Sequence, residues 1–243
     1  MAYAPAYDRQ VQRVEAVLAA RAQSAAPPEP PASAGFLLLV EHDPVVTVSR
    51  RPQARQHLIA TPELLARHGV SVAETDRGGD ITYHGPGQLV VYPILDLNLL
   101  NLGLHDYMRL LEGAIIDACA AWGLPTQRDP AATGVWVPPR ATHPRHAAKV
   151  CAMGVRVRRW ISMHGLALNV ATNLEHFDLI VPCGLVGRPV TSLSRELGAA
   201  CPSMDDAKRE VVAQLRARIN AAYASAIEKR RVARADAPAD TPG

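Results

Sequence analysis

The chain of 243 residues lacks any Cys-x-x-Cys pair. Its four cysteines, Cys119, Cys151, Cys183 and Cys201, stand far apart, which leaves zinc-ribbon and thioredoxin-type readings without support. It lacks a strong charge of either sign: 26 Lys and Arg against 23 Asp and Glu leave +3, too little to point to nucleic acid. No apolar run is long enough to cross a bilayer and no secretory signal opens the sequence. The expectation is a cytoplasmic protein with no membrane partner, whose thiols stay reduced. Neither GxxxxGK[ST] nor GxGxxG occurs, so neither phosphate-loop fingerprint is present. What is there is ordinary: 48% hydrophobic and 20% charged residues suit a folded chain, long enough for one substantial core or two small ones.

Periodicity supplies the elements. Residues 7–23 read as an amphipathic helix with Val11, Val14, Val17 and Leu18 on one side. The run Ala25-Ala26-Pro27-Pro28-Glu29-Pro30-Pro31 is a connector that cannot be helical. Residues 35–41 and 45–48 read as buried strands, and Thr61-Pro62-Glu63 as a helix start. In residues 104–122 Leu104, Met108, Leu111, Ile115 and Ala118 recur at helical spacing, with Cys119 as plain core. A last helix runs from Ser203 to about residue 229, and residues 232–243 form a mobile tail. The order of elements implies an α+β fold with a mixed sheet. The expected division is 1–34 (helix and connector), 35–230 (a single catalytic domain) and 231–243 (tail). His143 and His146 flank Pro144, which opposes the helix that would let them share a metal, so no metal is expected.

Two stretches carry chemistry. In Asp76-Arg77-Gly78-Gly79-Asp80-Ile81-Thr82-Tyr83-His84-Gly85-Pro86-Gly87-Gln88, four glycines alternate with polar side chains. That pattern fits backbone lying close to a ligand, or a hairpin turning at Gly85-Pro86-Gly87, and both readings stay open. The second stretch runs over residues 149–184. Alternation puts Lys149, Cys151, Met153, Val155 and Val157 on one strand face, and an ammonium leading an apolar face is costly unless an anion lies near. Cys183, between Pro182 and Gly184, is the candidate anion. A thiol of pKa about 8.5 is a weak nucleophile near neutrality, and a Lys ammonium beside it lowers that value. The neutral amine can then act as a base. The bland alternative is a half-exposed lysine and an inert buried cysteine. In residues 161–170 alternation sets His164 with Leu166 and Leu168, opposite Gly165 and Ala167; alone, His164 reads as a hydrogen-bonded core histidine.

Four blocks in order then resemble the lipoyl(octanoyl) transferases: Arg77 to Val90 with Tyr92-Pro93-Ile94, Lys149 to Gly154, His164 to Val170, and Ile180 to Gly184. The resemblance covers about residues 35–220 and leaves both ends outside; the loop at 138–148 is longer than that pattern needs. It implies the biotin/lipoate protein ligase-like fold, a mixed β-sheet flanked by helices. It implies transfer of an octanoyl group from octanoyl-acyl carrier protein to a lysine of lipoyl domains, those of 2-oxoacid dehydrogenase E2 subunits and of glycine cleavage H protein. The implied enzyme is a monomer that uses no cofactor. By the same resemblance Cys183 is the acyl-thioester nucleophile and Lys149 lowers its pKa. The implied substrate-binding residues are Arg77, Gly78, Gly79, Asp80, Ile81, Thr82, Tyr83 and His84, then Ala152, Met153 and Gly154, then His164, Gly165, Leu166 and Ala167. The small residues at Ala152, Gly154, Gly165 and Ala167 would leave a groove for a linear chain. Arg156, Arg158, Arg159 and Arg188 are candidates for meeting an acidic carrier. Alternatives are an octanoyl amidotransferase acting between lipoyl domains and an ATP-dependent lipoate ligase, which would need no cysteine.

Overall fold

The computed structural model describes residues 1–23, 34–181 and 188–235. In chain order they form α1 (Tyr3–Gln23), β1 (Gly35–Val40), β2 (Val45–Ser49), α2 (Pro62–Arg67), β3 (Ser71–Thr75), β4 (Ile81–His84) and β5 (Gln88–Leu95). After these come α3 (Leu104–Ala121), β6 (Val135–Val137), β7 (Ala148–Arg158), β8 (Ile161–Asn169), α4 (Leu193–Leu197) and α5 (Met204–Ala235).

The strands divide between two sheets. A five-stranded sheet has the order β1-β5-β8-β7-β6 with every neighbour antiparallel. A three-stranded sheet has the order β3-β2-β4, in which β2 runs parallel to β3 and antiparallel to β4. Parallel neighbours need a crossover, and α2 supplies it. Its start is set as expected: the Thr61 hydroxyl accepts from the Leu64 N–H, and Pro62 occupies the first turn, where no N–H is missed.

Period-two alternation in β5 explains how the large sheet is covered on both faces. Leu89 and Val91 point into the main core with Leu111 and Ile115 of α3 and Val211 and Leu215 of α5. Val90, Tyr92 and Ile94 point the other way, against Ala6, Val14 and Val17 of α1. The small sheet has its own core of Val46, Val48, Ile81 and Tyr83 under Leu65 and Phe177.

Several elements differ from expectation. The first helix begins at Tyr3, and Val11 is exposed while Gln10 is buried, because the stripe facing the sheet runs 3, 6, 10, 14, 17. Although the expected division set this helix apart at residue 34, it packs directly on the large sheet. Gly85-Pro86-Gly87 is not a hairpin but the corner where the chain leaves the small sheet and enters the large one. Gly87 needs φ 78°, and a Cβ there would lie 2.4 Å from the Ala171 carbonyl oxygen. The last helix continues to Ala235, beyond residue 229. The proline-rich connector and residues 236–243 lie outside the described residues. Among the described residues no helix is long and apolar enough to cross a membrane.

Candidate active site

A cleft opens across the seam between the two sheets. Alternation in β4 decides which of its residues reach it: Thr82 and His84 line the cleft, whereas Ile81 and Tyr83 turn into the small core. Arg77, Gly79 and Asp80 form one rim. Ala152, Met153 and Gly154 of β7, and His164, Gly165, Leu166 and Ala167 of β8, form the floor. Tyr3 of α1 with Val90 and Tyr92 of β5 completes the wall.

The glycines do more than leave room. Gly154 pairs with Gly165 across β7 and β8. A Cβ on Gly154 would sit 2.5 Å from the Gly78 carbonyl oxygen, and one on Gly165 would sit 2.2 Å from that of Val91. The Gly78 N–H donates to the Val155 carbonyl at 2.9 Å. The Arg77-Gly78-Gly79 segment thus lies backbone to backbone against β7, which is why both partners lack side chains. Arg77 is fixed there by hydrogen bonds to the Thr47 carbonyl at 2.9 Å and the Thr47 hydroxyl at 3.0 Å. Asp80 meets the His57 Nδ1 at 2.9 Å.

Asp76 is a hub behind this rim. It accepts from the Tyr7 hydroxyl at 2.9 Å, from His164 Nε2 at 2.8 Å and from Arg156. Simple alternation would place His164 with Leu166 and Leu168. Instead its backbone is left-handed, φ 56°, with its N–H donating to the Gln10 side-chain oxygen at 2.8 Å. The reversal delivers the ring to Asp76 and Tyr92, away from the Leu166 and Leu168 core. Burial, reinforced by Arg77 and Arg156, pushes the His164 pKa down to about 3. The neutral ring donates its Nε2–H to Asp76.

His84 is neutral as well, pushed down to about 3 by burial and then by His42. Its tautomer follows from Gln88, whose amide nitrogen donates to the Tyr83 carbonyl and to Asn169 Oδ1. Gln88 Oε1 is therefore the acceptor, and His84 Nδ1–H donates to it at 2.7 Å. His42, also held below its usual range by burial, accepts the Tyr92 hydroxyl on Nε2 at 2.7 Å.

Lys149 is 7% exposed. Expected on the face of Cys151, it is redirected by a bulge: Trp136 pairs with Lys149 and Val135 with Cys151, leaving Val150 extra. Val150 and Cys151 both enter the main core, while the Lys149 ammonium lies 4.7 Å from the Trp136 ring centroid. The Arg188 guanidinium stacks on the same indole at 4.2 Å and pairs with Asp129. Residues 189–191 run beside Lys149: its N–H donates to the Pro189 carbonyl and its carbonyl accepts from the Thr191 N–H, each at 2.9 Å.

Residues 10–216 match the family model described as the lipoyl protein ligase A/B catalytic domain. The chain belongs to this family.

Relatives of this lipoyl protein ligase A/B domain include proteins named octanoyltransferase. One from Bacteroides thetaiotaomicron is 42% identical over 213 residues, 88% of this chain and 89% of the relative. One from Koribacter versatilis is 48% identical over 164 residues, 67% of this chain but only 63% of the relative's own length. Among solved structures, the bipartite lipoate protein ligase of Thermoplasma acidophilum aligns with TM-score 0.63 and 15% identity, covering 88% of this chain and 79% of that one. That likeness shows the fold: an α+β lipoate ligase architecture.

Within this family member the catalytic cysteine implied by the resemblance, Cys183, lies with Pro182 and Gly184 outside the described residues. The three described cysteines are poor nucleophiles. Burial pushes the Cys119 thiol up to about 12 and raises Cys151 and Cys201 as well. Among the described residues no group of three His, Cys, Asp or Glu is placed to hold a metal ion; His143 instead hydrogen-bonds the His146 carbonyl at 2.9 Å. Tyr3, Tyr7 and Gln10 were not singled out from sequence, and Asp76, Val90 and Tyr92 were read only as members of longer stretches, not as site residues. The polar positions 3, 7 and 10, continuing the stripe of Val14 and Val17, are the signal that marks α1 as part of the site.

Proposed function

We propose that this chain is an octanoyltransferase that carries the acyl group on Cys183 with Lys149 as its partner. The observation that carries the reading is the burial of Lys149 beside residues 189–191, which follow Cys183 closely in the chain. The name of the relatives at 42–48% identity supports the same reading.

The chemistry balances without ATP. The Cys183 thiolate attacks the thioester carbonyl of octanoyl-acyl carrier protein, and the C–S bond to the carrier breaks. Lys149, as ammonium, gives its proton to the departing carrier thiolate and is left neutral. Neutral Lys149 then takes a proton from the acceptor lysine of a lipoyl domain, whose nitrogen attacks the Cys183 thioester. The amide forms and the Cys183 sulfur leaves as thiolate. Thioester to thioester is nearly level, and thioester to amide runs downhill. Backbone N–H groups near Cys183 or Ala152 stabilise the tetrahedral oxyanions. The cleft floor of Ala152, Gly154, Gly165 and Ala167 takes the alkyl chain, at about 0.8 kcal/mol per buried methylene.

Intact-mass analysis after incubation with octanoyl-acyl carrier protein tests this. Wild type gains one octanoyl group without ATP, and Cys183→Ala gains none. Absence of the adduct on wild type, or its persistence on Cys183→Ala, refutes the reading. Dependence on ATP with pyrophosphate release would favour a ligase, and a preference for octanoylated lipoyl domains as donor would favour an amidotransferase.

A further inference from the structure

Outside the cleft, the most heavily committed buried charge is Glu196. Its side chain is fully buried on the short α4 helix, where an unpaired carboxylate would cost several kcal/mol. Partners reach it from two directions. From the loop between β6 and β7, the Thr142 hydroxyl donates at 3.0 Å, His143 Nε2 stands 3.3 Å away and Arg140 Nε 3.5 Å away. From the other side the Thr191 hydroxyl donates to it.

Thr191 has every polar group committed. Its N–H donates to the Lys149 carbonyl at 2.9 Å, its carbonyl accepts from Asn169 Nδ2 at 2.9 Å, and its hydroxyl is held by Glu196. Together with the bond from the Lys149 N–H to the Pro189 carbonyl, this brackets Lys149 in a parallel bridge to Val190. Arg188, next to Pro189, completes the bracket on the Trp136 ring. The direction in which the ammonium leaves the bulged start of β7 depends on that bracket. The hydrogen bond that holds the bracket's far end terminates on Glu196.

We propose that Glu196 is a positioning residue for Lys149, acting through Thr191, with the loop at 138–147 as its buttress. The inference rests on the reading that Lys149 activates the Cys183 thiol, and it explains two features that reading leaves idle. One is a buried carboxylate outside the cleft; the other is the attachment of the loop at 138–147 to that carboxylate through Arg140, Thr142 and His143. A residue that only tied α4 to the loop would not need to engage the residue hydrogen-bonded to Lys149.

The test is the pH profile of Cys183 alkylation by iodoacetamide in the full chain, read by peptide mass mapping, with thermal unfolding in parallel. Lys149→Ala serves as reference and moves the midpoint up toward the free-thiol value of about 8.5. Glu196→Gln and Thr191→Val are expected to raise the midpoint by about one unit and slow alkylation at pH 7 about five- to tenfold. Thr191→Ser keeps the hydroxyl and retains the wild-type midpoint. A merely structural tie would lower the melting temperature and leave the midpoint of the folded protein in place. If Lys149→Ala moves the midpoint while Glu196→Gln and Thr191→Val do not, the positioning role is wrong and the dyad stands. If Lys149→Ala leaves the midpoint where it is, the dyad fails and the positioning role falls with it.

Discussion

Lowering the pH should weaken this fold through His84, well before its carboxylates titrate. The ring is 6% exposed and its folded pKa is pushed down to about 3, while an unfolded histidine titrates near 6.5. A depressed folded pKa leaves stability untouched above the unfolded value. Below it the unfolded chain binds a proton that the folded chain refuses, so stability falls from pH 6.5 down to about pH 3. At pH 5 the difference amounts to 1.5 units at 1.36 kcal/mol each, or about 2 kcal/mol for this single ring. With an m-value of about 2–3 kcal/mol/M, His84 alone should lower the urea midpoint by roughly 0.7–1 M between pH 7.5 and pH 5, on top of the fall due to His164, whose pKa is likewise pushed down to about 3. His84→Asn removes the titrating group but keeps a polar side chain near Gln88. Whatever its stability at pH 7.5, its urea midpoint should fall less on acidification, by the share assigned to His84. Equal acid sensitivity in the two proteins would show that the buried ring is not the group responsible.

Three further outcomes follow from the same geometry. Gly154→Ala forces a methyl against the Gly78 backbone and should cost about 1–3 kcal/mol, a loss of several degrees in Tm, together with most transfer activity; an unchanged Tm would mean the Arg77-Gly78-Gly79 segment moves freely. Tyr3→Ala opens the α1 side of the cleft and should shift acyl preference toward a chain two methylenes longer by about tenfold in a competition assay. A uniform loss for all chain lengths would assign Tyr3 to stability alone. Of the four arginines considered for docking, Arg156 and Arg188 are paired with Asp76 and Asp129. Arg158→Glu with Arg159→Glu should therefore carry any effect, raising KM for the acyl carrier protein with kcat unchanged and flattening its salt dependence.

Local periodicity made α3, the last helix and most strands legible, since each signal is contained in a short window. It did not reveal which sheet a strand joins. β4 and β5 are separated by three residues and lie in different sheets, because Gly87 and the Ala171 backbone turn a corner that no pattern of apolar residues records. Lys149 and His164 were named from sequence but their side chains were aimed wrongly, one redirected by the Val150 bulge and the other by a left-handed backbone. Both faults arise from a single residue breaking a period of two. Matching the substrate-binding blocks as blocks likewise hid the split within β4 between Thr82 and His84 on one side and Ile81 and Tyr83 on the other. The contribution of α1 depends on contacts such as Gln10 to His164, which lie 154 positions apart.

The cleft is a joint as well as a container. Its two sides belong to separately cored sheets, and the chain passes between them at Gly85-Pro86-Gly87. That corner, which directly follows His84 of the lining, is one of the connections that set the width of the groove, alongside the Gly78–Val155 backbone bond. Variants selected for altered chain length need not map to the lining; residue 87 and its neighbour Ala171 are where hinge-like changes in fit would accumulate.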